Sequence, residues 1–106
     1  MPDLAGWRRE RLEAPPEGAY FEIAPDWVCE VLSPPTEAED RERRMPIYAE
    51  ARVGHAWLVD PAVQELETFR LDGAGWPSIA AFSGARTISP EPFDAVPLEL
   101  AALWEW

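Results

Sequence analysis

One stretch, Pro25 to Pro61 (PDWVCEVLSPPTEAEDRERRMPIYAEARVGHAWLVDP), constrains the fold more than any other. It sets an apolar run, a charged helical pattern and a second apolar run in order, with turn residues between them. Trp27 to Leu32 is a short apolar run behind a proline, interrupted by Glu30 and stopped at Ser33-Pro34-Pro35. That reads as a strand. A carboxylate taken out of water costs several kcal/mol unless it is paired. Glu30 therefore needs a cation, a hydrogen-bond donor or a water-filled cleft.

From Thr36 the pattern turns helical. Thr36 can cap, Glu37, Glu39 and Asp40 crowd the first turn, and Arg41, Arg43, Arg44 and Arg52 follow, as the helix dipole favours. The spacing predicts about four turns, with Ile47, Tyr48 and Ala51 on the buried face and a kink or freed carbonyl at Pro46. Val53-Gly54 is the expected stop, and His55 to Val59 the next buried strand, closed by Asp60-Pro61. Strand, helix and strand at this spacing imply a crossover with the helix packed on a sheet. The Glu37 to Asp40 acids are read as a helix N-terminus and not as a second metal site. His55 is read as a surface residue at the strand entrance, and Ser33 as a local hydrogen-bonding residue at the strand end.

The first residues extend this unit. Leu4 to Trp7 reads as a strand, Glu13 to Gly18 as a loop, and Tyr20 to Ile23 as extended. If an antiparallel hairpin is centred near Pro16-Glu17, facing residues sum to about 33, and Asp3 lies opposite Glu30. Facing side chains are roughly 5 Å apart at Cβ, so one hard cation could bridge the two carboxylates. Mg²⁺ needs only one or two carboxylates plus waters and phosphate oxygens. Asp26 lies four residues from Glu30, roughly 13 Å along a strand, too far to share that ion.

Beyond Pro61, Val63 to Leu71 reads as an edge-type strand with Leu66, Thr68 and Arg70 on one face and Glu65, Glu67 and Phe69 on the other. A turn at Asp72 to Gly75 and a strand at Ile79 to Phe82 complete a hairpin. Thr87 to Pro97, with three prolines, is expected to be irregular, and Leu98 to Trp104 to be a short helix docked on the sheet. The fold class implied is α/β (α+β), a mostly antiparallel mixed sheet with one main helix, in a single domain over residues 1–106.

The formal charge is -11 over 106 residues and the pI about 4.3. No basic footprint for nucleic acid exists, which counts against non-specific DNA binding without metal ions. All nine basic residues are arginine, and the chain holds no lysine. The single Cys29 is expected to pack as a small hydrophobe. One cysteine and one histidine exclude an intrachain disulfide framework and argue against a Cys/His zinc site. No apolar run approaches membrane-spanning length, so a soluble cytoplasmic protein is expected.

Pro2-Asp3, then PDWVCEVLSPPT, then D-x-x-x-R-x-x-x-Y at Asp40, Arg44 and Tyr48, then WLVDP at Trp57 to Pro61, followed by ETFRL, Pro92-Phe93 and a terminal Leu-x-x-Leu-Trp, together resemble the Uma-type family. That family belongs to the restriction-endonuclease-like superfamily with a PD-(D/E)XK signature. The resemblance implies a metal-dependent endonuclease acting on DNA. Asp3 would be the signature Asp and Glu30 the signature acid, holding Mg²⁺ or Mn²⁺, with Val31 grouped among the residues around the ion. The usual lysine position is Leu32 here, and the family's relocated lysine corresponds to Arg44; Asp26 and Tyr48 are accessory candidates. Arginine keeps the charge and can fork onto phosphate, but it does not readily shuttle protons. The family's N-terminal helix and strand have no counterpart before Asp3, which implies a partial fold and a homodimer or higher oligomer. The alternatives are an inactive nuclease-fold protein acting as a binding or assembly module, and an oligomeric scaffold without a ligand.

Overall fold

Leu4–Gly6 (β1) and Trp27–Val31 (β2) run antiparallel, with Leu4 facing Cys29, Ala5 facing Val28 and Gly6 facing Trp27. Every pair sums to 33, the register expected from the sequence. The computed structural model describes residues 3–7, 24–33, 40–73 and 75–104. The expected loop at Glu13 to Gly18, the extended Tyr20 to Ile23 and the helix start at Thr36 to Glu39 lie outside them.

Across its other edge, β2 pairs in parallel with His55–Asp60 (β3), Trp27 with His55 through Val31 with Val59. This is the expected crossover, because two parallel neighbours need a connection long enough to return along the sheet. β3 then pairs antiparallel with Glu65–Arg70 (β4), and β4 with Ser78–Ser83 (β5). The result is a five-stranded mixed sheet in the order β1-β2-β3-β4-β5.

Alternation divides the sheet into two faces. Val28, Leu32, Ala56, Leu58 and Phe69 pack with Met45, Tyr48 and Val53 on the helix side. On the other side Cys29, Trp57, Val59 and Leu66 pack with Ile88 and Leu100. On β4, Leu66 and Phe69 thus join opposite cores, as the expected face sets require.

The helix departs from expectation in its face. A π-helical stretch, Asp40–Arg44, leads into the α-helix α1, Met45–Glu50. The buried residues of α1 are Met45, Tyr48 and Ala49, whereas Ile47 is 59 % exposed and Ala51 is exposed. Met45, Tyr48 and Ala49 have the i, i+3, i+4 spacing of one helix face, which leaves Ile47 off it, and Ala51 is the C-cap beyond the helix. Pro46 sits at the start of α1, where its missing N–H costs little. The helix ends earlier than Val53-Gly54. Arg52 takes φ 64°, and the N–H groups of Arg52 and Val53 donate to the carbonyls of Ala49 and Tyr48. This is the Schellman arrangement, closed by the apolar contact between Val53 and Tyr48 in one core.

Three further expectations change. β4 is not an edge strand, because β5 covers its outer side. Thr87–Ile88 (β6) is a short strand paired with Leu98–Glu99 (β7), so the proline-rich segment is anchored at its start, and the terminal helix begins only at Leu100. That helix, Leu100–Trp104, is of the 3₁₀ type and docks as expected through Leu100, which is completely buried. Finally, His55 is not a free surface residue, since Glu91 holds its ring.

Candidate active site

Glu30 lies in the middle of the sheet on the helix side, 1 % exposed. β2 places it there because Val28, Glu30 and Leu32 alternate onto the face that α1 covers. The sequence demanded a partner, and the helix supplies two. Arg44 Nη1 donates to Glu30 Oε2 at 2.9 Å, and the Tyr48 hydroxyl donates to Glu30 Oε1. Arg44 and Tyr48 stand four residues apart, the spacing that places two side chains on one helix face. Both carboxylate oxygens are therefore engaged, one by a cation and one by a neutral donor.

Asp3 stands just before β1, one residue beyond the Leu4–Cys29 pair. Its Oδ2 accepts the Val31 N–H at 2.7 Å. Asp3, exposed, is thereby tied to the residue that follows the buried Glu30. The charges of both carboxylates reach the Cys29 thiol. Burial first, and then Asp3 and Glu30, push Cys29 up to about 12. Cys29 is 2 % exposed and stays protonated at neutral pH, which makes it a packing residue and not a nucleophile.

Asp26 is not brought to this pair. It sits at the opposite end of β2, where its N–H donates to the Gly6 carbonyl at 2.8 Å and its own carbonyl accepts from His55 N–H at 3.1 Å. There it lines a cavity of about 300 Å³ with Gly6, Trp7, His55, Pro92 and Phe93.

Several contacts had no local sequence signal. Trp76 Nε1 donates to the Met45 carbonyl at 2.7 Å and lines a second cavity of about 300 Å³ with Arg41, Met45, Pro46, Leu58, Phe69 and Gly75. Because Leu58 is the register partner of Glu30, this cavity opens one strand away from the carboxylates. Arg41 at its rim pairs with Glu67 at 3.1 Å. On the other face, Glu91 meets His55 Nε2 at 2.6 Å and Arg70 Nη1 at 3.0 Å, while its carbonyl accepts from Trp57 Nε1 at 2.9 Å.

The His55 hydrogen bond, more than burial opposes, and the nearby Arg70 hold the Glu91 carboxyl below its ordinary value of 4.5. A depressed carboxyl contributes stability that is present above the unfolded value and is lost as pH falls through the folded one. Melting temperature should therefore drop as the protein is taken below pH 4.5, and Glu91→Gln should flatten that part of the curve. An unchanged acid limb in Glu91→Gln would show that other carboxyls control it.

The mixed sheet order and the crossover helix are those of a restriction-endonuclease-like fold class. Residues 1–102 match the model of the Uma2 family, described as "Putative restriction endonuclease". The chain belongs to that family. A similar solved structure is a "putative nuclease belonging to DUF820" from Anabaena variabilis ATCC 29413, with a TM-score of 0.73 and 24 % identity. The similarity covers all of this chain and 60 % of that one. No curated protein sequence matches.

Among the described residues no cluster of three or more His, Cys, Asp or Glu side chains could hold a metal ion. The two acids expected from the sequence to hold a divalent ion are Asp3 and Glu30. That donor set fits a hard cation. It is all oxygen, it carries two negative charges, and it leaves positions for water and phosphate oxygens. Among the described residues no helix is long and apolar enough to cross a membrane.

Proposed function

We propose that the protein is a metal-dependent endonuclease hydrolysing phosphodiester bonds in DNA, with Asp3, Glu30 and Arg44 at its centre. The observation that carries this reading is that Asp3 accepts the N–H of Val31, the residue after Glu30, while Arg44 pairs with the buried Glu30. Asp3 and Glu30 would hold Mg²⁺ or Mn²⁺, with Val31 beside them. Such an ion supplies Lewis-acid polarisation of the phosphate and a water of lowered pKa. Tyr48 fixes the orientation of Glu30 through its hydroxyl. Arg44 supplies a permanent positive charge that can fork onto a phosphate oxygen, and it takes no proton in the reaction. A net charge of -11 repels a polyanion, so the ion would also serve to bring DNA to the acid pair.

A second reading, an inactive nuclease-fold protein that binds or assembles, is favoured by one observation: Glu30 is closed off by Arg44 and Tyr48 in a chain without lysine. Both readings place the protein in the cytoplasm. Both also keep self-association as an expectation, with the uncharged edge strand β5 (Ser78-Ile79-Ala80-Ala81-Phe82-Ser83) as its most favourable surface. Sedimentation that shows a folded monomer at high concentration would remove self-association.

Supercoiled plasmid, incubated at low salt with Mn²⁺ or Mg²⁺, separates the two readings. Wild type should nick or linearise it, and Glu30→Gln should not. An inert wild type with an active Arg44→Lys would mark a disarmed enzyme. Inactivity of wild type, Glu30→Gln and Arg44→Lys, all folded, would overturn the nuclease reading in favour of the binding or assembly module.

A further inference from the structure

Glu30 has its two oxygens occupied by different kinds of donor, and this distinguishes what an arriving ion must displace. The Tyr48 hydroxyl is neutral and donates to Oε1 in a buried contact. Arg44 is the charge. Its side chain is 34 % exposed, against 2 % for Glu30. A divalent ion and a guanidinium compete for the same negative charge, and a buried carboxylate is neutralised well by one cation and poorly by two crowded together. Arg44 cannot step aside by losing its proton, as a lysine can when desolvated. It can only move.

We propose that Arg44 is an exchangeable counter-ion: it holds Glu30 in the ion-free protein, is displaced when a divalent ion binds Asp3 and Glu30, and then turns outward to a phosphate oxygen. The proposal rests on the reading of Asp3 and Glu30 as an ion site. It makes ion binding and phosphate binding mutually dependent, because the ion releases the guanidinium that the phosphate needs. By linkage, the factor by which the Arg44 contact weakens ion binding equals the factor by which ion binding weakens that contact.

Thermal melting without nucleic acid tests this, with Mn²⁺ titrated against wild type, Arg44→Gln, Arg44→Lys and Glu30→Gln. Glu30→Gln reports the general response of an acidic surface to the ion. In Arg44→Gln the Mn²⁺ midpoint should fall by roughly 5- to 150-fold, the usual span of coupling between sites, and the melting temperature should rise further at a given Mn²⁺ concentration than in wild type. Arg44→Lys retains the charge on a more strongly hydrated, flexible stem, so its midpoint should fall less; it carries the test if Arg44→Gln does not fold. Midpoints equal in wild type and both Arg44 variants, yet distinct from Glu30→Gln, would overturn the exchange and leave the ion site standing. Curves identical in all four proteins would overturn the exchange and the ion site together.

Discussion

Trp57→Ala is expected to destabilise the protein by about 3–5 kcal/mol, the cost of emptying a large aromatic site in a packed core. Trp57 sits on β3, paired on both sides, and is 6 % exposed. Its ring meets Trp27 at 5.2 Å and Phe93 at 5.7 Å, each nearly perpendicular, and these two rings meet each other at 5.1 Å. Edge-to-face pairs add roughly 0.5–1.5 kcal/mol each beyond burial. The indole N–H also holds the Glu91 carbonyl, so the alanine variant loosens the segment that carries Glu91 as well as opening a cavity. Trp57→Phe keeps most of the aromatic volume and loses the N–H donor, so it should lose only about 1–2 kcal/mol. Urea unfolding followed by circular dichroism measures both. A loss below about 1 kcal/mol in Trp57→Ala would mean that the three-ring cluster does not hold the C-terminal segment to the sheet.

Arg44→Met should cost about 3 kcal/mol, near the low end of the range for breaking a buried ion pair by removing one partner. The loss comes less from the missing attraction than from leaving the Glu30 charge buried with the Tyr48 hydroxyl as its remaining described donor. The partial exposure of Arg44 and the surviving Tyr48 contact keep the figure from the top of the range. The test of cause is a cycle. Replacing Glu30 by Gln in the Arg44→Met background removes the stranded charge and should recover most of the loss. If the double variant were as unstable as the sum of the two single changes, the pair would not be coupled, and the ion-pair account of this site would fail. Tyr48→Phe in the same series separates the neutral donor from the charged one.

What the sequence disclosed about the site came from costs that do not depend on tertiary detail. A carboxylate at Glu30 inside an apolar strand requires a partner whatever the fold, and the arginines of the following helix were the nearest candidates. The antiparallel register that sets Asp3 against Glu30 follows from one assumption, the position of the turn, because strand side chains alternate with a period of two. The crossover follows from the distance between two apolar runs, too long for a hairpin and suited to a helix. Cys29 was legible as a core residue because its neighbours are apolar.

The helix face was not legible in the same way. Ile47 and Ala51 were read as sharing the buried face with Tyr48, but which stripe of a short helix turns inward is set by packing on the sheet, and Ala51 is the C-cap. Tyr48 kept its inward place, and Met45 and Ala49 took the others. Likewise β4 was taken for an edge because neither of its faces is wholly apolar, yet strand order depends on which neighbour arrives and not on the composition of the strand itself.

The sequence by itself therefore determined the order of the five sheet strands and the helix along the chain, the need of Glu30 for a counter-charge and, once the turn was assumed, the register of β1 on β2, since these rest on local periodicity and on the cost of burying a charge. Only the tertiary structure decided that Arg44 and Tyr48 each take one oxygen of Glu30, that Glu91 holds His55 from 36 residues away, and that Trp76 reaches back across 31 residues to the Met45 carbonyl. Such contacts are chosen when layers pack against one another, where shape and hydrogen-bond geometry select partners that no local pattern in the chain specifies.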